Sequence, residues 1–361
     1  MRKLATIRKI NDLLPIEGAD LIMTAVIDGW AVVVKKDEFK IGDHCVYFEI
    51  DSFLPDGNPA WQHLVDKHQR FFDGGKGHRL KTVKLRGQVS QGFAAPVSKF
   101  VDLFIGSDQD EGQELSEFFF LGNDLSEFLN IKKYEAPVPG ELAGQVTGNF
   151  PTFIPKTDQE RCQNIVQDIF VENKDSRYEV TLKADGTSFT AYYNNGLQGV
   201  CGRNWNLDTG VNNEHNTLVR MYKDSKLDEA LRNLCMNYAV QGELMGPGIQ
   251  KNREGLTSFK LFVFAIYDIN AQSYLTPDER YTVLNSLYQH GLDRDMVFHT
   301  PVPHFNVTLA DLGITNMREL LAFADGPSYA NAVREGYVYN RMDGKFSFKT
   351  ISNKYLLAEK E

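Results

Sequence analysis

Lys183, Asp185 and Gly186 stand together in the run Lys183-Ala-Asp-Gly186, and their types could do chemistry. A lysine that ends a half-buried strand is partly desolvated, which favours the neutral amine and makes it a nucleophile nearer neutral pH. An aspartate two residues on can orient that amine or bring a metal ion close, and the glycine lets the backbone turn sharply. The same residues also read as an ordinary turn beside a solvated lysine, because Asp-Gly is among the commonest turn pairs. The rest of the chain bears on the choice. Arg203, Glu243, Glu335 and Lys349 each interrupt an otherwise apolar run, beside a glycine, a turn or an aromatic pair. A charge inside a strand costs desolvation unless it is paired or used. Five such residues on separate strands, Lys183 included, predict side chains that converge on one cleft.

The elements that must position them follow from the residue pattern. Over 178–193, Val180 and Leu182, then Phe189, Ala191 and Tyr193, alternate with polar residues, so the stretch reads as a hairpin with Lys183 at its turn. Residues 197–203 read as a strand leading into Asn204-Trp-Asn206, 215–237 as a helix, and 238–245 as a strand ending at Gly246-Pro-Gly248. A strongly apolar strand is expected over 260–269, and a helix over 276–290 with Pro277 at its first position. Runs 333–339 and 345–349 form a strand pair joined by Met342-Asp-Gly344. Ahead of the lysine, Cys162, Ile165, Val166, Ile169 and Phe170 have helical spacing, so a helix is predicted over 158–172 with Asp158 as its N-cap.

The first third differs in character. Short strands at 22–27, 30–34, 45–50, 81–86 and 88–93, with Gly87 and Gly92 as bulges or corners, suggest a small barrel. Arg70 to Lys99 holds seven basic residues against one acid, whereas residues 100–130 hold eight acids and no Lys or Arg. The basic stretch, with Lys81, Lys84 and Arg86, reads as a phosphate-contacting surface or as a solvated face that protects strand edges. The Pro- and Gly-rich run from Glu135 to Pro151 is the clearest linker. The division expected is therefore residues 1–130 as an OB-like domain, 131–150 as linker and 151–361 as a catalytic domain.

The totals set bounds. At 361 residues two domains are the prior. A net charge of −9 argues against wrapping nucleic acid with the whole surface but leaves room for a local basic groove. Cys45, Cys162, Cys201 and Cys235 have no zinc-site spacing and read as reduced thiols, which suits a cytoplasmic protein. No signal peptide and no membrane-spanning run is read in the sequence.

Taken together, the residues resemble the covalent nucleotidyltransferase superfamily of ATP-dependent ligases and mRNA capping enzymes. Lys183-Ala-Asp-Gly186 looks like its motif I, Cys201-Gly-Arg203-Asn204 like motif Ia, and Gly242-Glu243-Leu like motif III. The run from Leu261 to Ile269 looks like motif IIIa, Glu335-Gly-Tyr-Val-Tyr like motif IV, and Phe346-Ser-Phe-Lys349 like motif V. With a barrel ahead of the catalytic domain, and with the stretch from Lys156 to Asn164, the chain is most similar to RNA ligases that carry an N-terminal OB-fold domain. The resemblance implies an α+β fold: an OB-like β-barrel, then a nucleotidyltransferase domain of ATP-grasp-like antiparallel sheets with helices.

The resemblance also implies roles. Lys183 attacks the ATP α-phosphate to form lysyl-AMP. Asp185, Glu243 and Glu335 surround Mg²⁺ or Mn²⁺ through its water shell, and Glu243 and Glu335 also border the nucleotide. Lys349 binds the α-phosphate and Arg203 the ribose or the RNA 5′-phosphate. Phe264, or Phe262 on the same strand face, stacks on adenine, with Thr181 and Leu182 beside the nucleotide. Arg161 and Asn164, with Lys81, Lys84 and Arg86, are candidates for RNA contact. The sequence departs from the family in having Leu182 before the nucleophile and Ser347 where a second motif V cation is common, a deficit Lys345 or Lys354 would fill. The implied activity joins RNA 3′-OH and 5′-phosphate ends, sealing nicks in duplex RNA or an RNA/DNA hybrid, by a monomer. DNA ligation, GTP-dependent RNA capping and a non-catalytic nucleic-acid-binding protein are the alternatives.

Overall fold

The structure is a computed structural model and describes residues 3–104, 119–134, 144–210, 213–328, 330 and 332–358. The middle of the expected linker, 135–143, and much of the acidic stretch, 105–118, lie outside the described residues. The chain divides into two compact units, Met1–Val138 and Pro139–Glu361.

The first unit is an OB-like assembly of short antiparallel sheets. Ala5–Lys9, His44–Phe48 and Phe93–Pro96 form one sheet, and Asp12–Pro15, Ile22–Ile27 and Trp30–Lys35 form a meander. Strand His44–Phe48 is buried on both faces. Val46 and Phe48 enter a core with Ile7 and Trp61, while Cys45 and Tyr47 enter a second core with Ile27, Trp30 and Val32. Gly92 follows that strand's path so closely that a Cβ would stand 2.4 Å from the Phe48 carbonyl, and its φ of +93° suits glycine. Val83–Leu85 and Gln88–Ser90 pair around Arg86 and Gly87, both at positive φ, so the basic run is a tight hairpin. Sequence reading passed over strands Ser52–Pro55, Arg70–Phe72 and Gly75–Arg79: the first is too short to show alternation, and the other two carry charges or glycines that hide it. Strand Lys132–Lys133 pairs with Ser52–Pro55 in this unit, whereas Val146–Asn149 pairs with Trp205–Leu207 in the second.

The second unit is built on two sheets. The larger runs in the order Val146–Asn149, Trp205–Leu207, Leu197–Cys201, Thr187–Asn194, Tyr238–Met245, Lys260–Asp268, Ser273–Tyr274, with Val297–His299 parallel to Lys260–Asp268. Helices Thr217–Asp224, Leu227–Leu234 and Pro277–Gln289 bury Val219, Tyr222, Leu231 and Leu284 in one core with Phe189, Val240 and Leu261 of this sheet. The smaller sheet runs Glu160–Arg161, Ser347–Ile351, Gly336–Arg341, Tyr178–Leu182, His304–Val307. Its core holds Cys162, Ile169, Tyr178, Val180, Tyr339 and Phe348.

Three expectations change. The helix expected over 215–237 is broken at Lys226, whose φ is +58°. The helix expected over 158–172 is absent as such. Glu160–Arg161 pairs in parallel with Phe348 and Lys349, Cys162–Asn164 is a 3-10 turn, and Asp168–Glu172 is a π-helical turn. Cys162 and Ile169 are buried, but the backbone of 160–161 completes a sheet edge, and that pairing outweighs local periodicity. The hairpin expected over 178–193 is also absent: Tyr178–Leu182 belongs to the smaller sheet and Thr187–Asn194 to the larger. Alternation reports which face of a strand is buried, not which strand lies beside it.

Candidate active site

Residues 183–186 form the crossing between the two sheets. On the near side Lys183 N donates to the Gly336 carbonyl at 3.0 Å, and Leu182 N donates to the Pro301 carbonyl at 2.9 Å. On the far side Thr187 pairs with Leu244 and Ser188 with Glu243. Gly186 is wedged against that strand; a Cβ there would stand 2.3 Å from the Leu244 carbonyl and 3.0 Å from Glu243 Cγ. Glu243 Oε1 accepts a hydrogen bond from Gly186 N at 3.2 Å, which pins the crossing to the larger sheet.

The crossing aims Lys183 at acids from both sheets. Its Nζ lies 2.6 Å from Glu335 Oε1, beside the start of strand Gly336–Arg341. Burial works to lower the Lys183 pKa, but Glu335, Glu243 and Asp185 together raise it above the ordinary lysine value. The strand pattern suggests a lysine pKa lowered by desolvation; the Glu335, Glu243 and Asp185 carboxylates reverse that and favour the charged ammonium. Glu243 shows the reverse side of the same charge balance. Burial first, and the neighbouring Glu335 and Asp185 carboxylates with it, push its pKa up to about 7 against the pull of Lys183. Asp185 turns away to Arg253, whose Nε is 3.1 Å from its Oδ2 and whose guanidinium sits over the Tyr355 ring.

A cavity of about 480 Å³ opens in front of Lys183. That size suits a nucleotide-class ligand. Its wall includes Thr181, Leu182, Lys183, Glu243, Arg203 and Lys349 of the residues expected from sequence, with Phe264. Asp185 and Glu335 are not on that wall. Phe262 and Phe264 are separated by a bulge, since Gly242 pairs with Val263 and Gln241 with Ala265, leaving Phe264 as the extra residue. Phe264 consequently faces the cavity, while Phe262, 5% exposed, lines a smaller neighbouring hollow and packs on Phe298.

Cations line one side. Lys349 Nζ is 3.0 Å from Asp158 Oδ1, and Arg203 Nη2 is 3.9 Å from Asp158 Oδ2. Burial, helped by Lys183 and Arg161, lowers Lys349 to about 8 in spite of Asp158. Asp158 is thus an ion-pair partner inside the site and not a helix cap. Lys345 is exposed and Lys354 pairs with Asp325, so neither lines the cavity; Lys156 does, its Nζ 2.9 Å from Asn204 Oδ1. Sequence reading assigned no role to Lys156, Arg253 or Arg280, since each is an ordinary charged residue until the fold brings it to the site. Arg161 is buried next to Lys349 in the strand pairing, and Asn164 Nδ2 donates to Glu160 Oε1 at 2.7 Å. Lys81, Lys84 and Arg86 are exposed on the first unit.

Among the described residues no three acidic, His or Cys side chains are gathered as a direct metal-ligand set. The donors still suit a divalent cation held through water. Glu335, Glu243 and Asp185 all act on the Lys183 ammonium, and burial, with the neighbouring carboxylates, pushes Glu243 up to about 7, where a nearby cation would favour its charged form. No helix is long and apolar enough to cross a membrane, among the described residues.

Residues 4–97 match an OB-fold domain family, and residues 176–355 match the RNA ligase family. No curated protein matches the chain. Among solved structures, a variant of the Naegleria gruberi RNA ligase with AMP and Mn is 43% identical, with 100% of this chain and 99% of that chain covered and a TM-score of 0.86. A variant with ATP and Mn is 42% identical, with 99% of each chain covered and a TM-score of 0.86. The same ligase with pyrophosphate is 42% identical, with 99% of this chain and 98% of that chain covered and a TM-score of 0.83. Likeness of this degree over both units, joined to a lysine set among acids and cations at the meeting of two sheets, places the chain in the family of ATP-dependent RNA ligases that carry an N-terminal OB-fold domain.

Proposed function

We propose that this RNA ligase seals nicks in duplex RNA, or in an RNA/DNA hybrid, acting as a cytoplasmic monomer, and that Lys183 carries the adenylate. In the first step Lys183 Nζ attacks the ATP α-phosphorus, the bond to pyrophosphate breaks, and lysyl-AMP forms. Glu335 Oε1, 2.6 Å from that nitrogen, is the nearest acceptor for the proton that must leave. A divalent cation, Mg²⁺ or Mn²⁺, bound through water near Asp185, Glu243 and Glu335 would supply counter-charge to the phosphate and offset the carboxylate field that keeps Lys183 protonated. Lys349, Arg203 and Lys156 hold phosphate oxygens, and Phe264 covers the base. An RNA 5′-phosphate oxygen then attacks the adenylate phosphorus and frees Lys183. Finally the 3′-OH attacks the RNA 5′-phosphorus, forming the phosphodiester, and AMP leaves. Arg161 and Asn164 border this path, and Lys81, Lys84 and Arg86 of the OB-like unit contact the RNA backbone.

The observation that carries this reading is the Lys183–Glu335 contact at the sheet crossing, facing a nucleotide-sized cavity with cations on its wall. Incubation with α-³²P-labelled ATP and Mn²⁺, followed by a denaturing gel, tests it. A labelled protein band is expected in the wild type and none in Lys183→Ala; no band in the wild type, or an equal band in the variant, overturns the assignment. Sealing of a nicked all-DNA duplex as fast as a nick flanked by RNA would overturn the substrate class.

A further inference from the structure

Asp158 bridges two cations of the cavity wall. Its two carboxylate oxygens reach two different cations, Lys349 at 3.0 Å and Arg203 at 3.9 Å, and all three residues line the cavity. One anion spread over a lysine and an arginine is the arrangement those side chains give a phosphate. The cation and the acid are mounted differently. Lys349 is 15% exposed in the middle of a sheet, its backbone paired with Val338 on one side and Arg161 on the other. Asp158 is 40% exposed and lies in a stretch, 155–159, with neither helical nor strand structure. Of the two, Asp158 is the more exposed and lies on the less regular backbone.

We propose that Asp158 is a resident counter-anion: it fills the phosphate cradle of the ligand-free enzyme, is displaced by the polyphosphate, and thereby weakens the hold on ATP and on pyrophosphate. This rests on the reading of Lys349 and Arg203 as phosphate-binding. Every incoming phosphate must break the Asp158 contacts and then lie near a displaced carboxylate of like charge. The consequence reaches the reaction itself. Pyrophosphate has to leave once lysyl-AMP has formed, and a displaced carboxylate of like charge beside it favours its departure and opposes the reverse reaction.

The test compares wild type, Asp158→Asn and Lys349→Ala as full-length proteins, with magnesium pyrophosphate as the probe in titration calorimetry. Asp158→Asn keeps the shape and removes the charge, so pyrophosphate should bind about 3- to 30-fold more tightly, from the strength of partly exposed ion pairs and like-charge contacts. The KM for ATP should fall with it. An aspartate that merely braced the site would give weaker binding when replaced. If Asp158→Asn does not fold, Asp158→Ser is measured in its place. Binding by the Asp158 variant equal to or weaker than wild type, with Lys349→Ala also weakened, overturns the counter-anion and leaves the ligase reading intact. Wild-type affinity in Lys349→Ala overturns the phosphate cradle itself, and the counter-anion with it.

Discussion

Replacing Arg280 by methionine should unfasten the two sheets that meet at Lys183. Arg280 sits on helix Pro277–Gln289, and its Nη2 and Nη1 donate to Glu179 Oε1 at 2.5 Å and Oε2 at 3.0 Å. Nη1 also donates to the Phe264 carbonyl at 3.1 Å. Glu179 lies in the smaller sheet, on the strand that runs into Lys183, and Phe264 in the larger, so one guanidinium ties both. The side chains are 3% and 0% exposed. Methionine fills the volume but leaves the Glu179 carboxylate without its cation in a place water does not reach. Breaking a buried pair from one side costs about 3–5 kcal/mol, and the lost bond to Phe264 adds about 1 kcal/mol. Urea titration, followed through Trp205, the one tryptophan beyond residue 138, measures the loss in the second unit. Glu179→Gln in the same chain removes the stranded charge, so the double variant should recover at least about 2 kcal/mol relative to the sum of the single losses. A loss below about 1 kcal/mol in Arg280→Met, or single losses that simply add, would refute the view that this pair fastens the sheets.

Gly186→Ala should destabilise by about 1–3 kcal/mol and depress adenylation further, because the new methyl meets the Leu244 carbonyl and must shift the crossing that carries Lys183; a variant with wild-type labelling would contradict the wedge. Phe264→Ala should raise the KM for ATP about fivefold, by the loss of roughly 1 kcal/mol of stacking, with little change in melting temperature. Phe262→Ala should instead cost about 3 kcal/mol of stability, since Phe262 is 5% exposed in packing; calorimetry and ATP kinetics on the pair separate the two roles. Glu243 has its folded pKa raised from 4.5 to about 7, so the folded state binds its proton more tightly than the unfolded chain. Its penalty is absent below about pH 4.5, grows between there and pH 7, and is fully present above. Ligand-free Glu243→Gln should therefore gain on the wild type between pH 5 and pH 8 by on the order of 3 kcal/mol, at about 1.4 kcal/mol per pH unit; a stability difference that stays flat over that range would count against the buried, charge-starved carboxylate.

With Lys183 as the proposed nucleophile, its raised pKa means that activation would come from the ligands. Desolvation alone would lower the amine, and that is the term a single strand can suggest. The three carboxylates that reverse it come from positions 185, 243 and 335, and only the smallest of these separations is visible in a local motif. On that proposal, nucleotide and metal ion would neutralise a carboxylate field that the fold assembles.

Local pattern settled which residues are strands and which side of each is buried. Val180 and Phe189 are core residues on either side of the crossing, strand Tyr238–Met245 has the expected bounds, and Thr276 and Glu279 form a capping box where Pro277 marked a helix start. The two-unit plan, and the gathering of Lys183, Glu243, Glu335 and Arg203 about one crossing and its cavity, were also legible, because alternation and residue type are properties of short stretches. Partnership was not. The strands flanking Lys183 part into different sheets, Asp158 joins Lys349 instead of capping a helix, a bulge sends Phe264 and Phe262 into different hollows, and Arg253 takes Asp185. Each of these is a contact between residues tens to hundreds of positions apart, or a register set by a neighbouring strand. Their energies exist only once the chain has closed on itself, so no stretch read alone contains them.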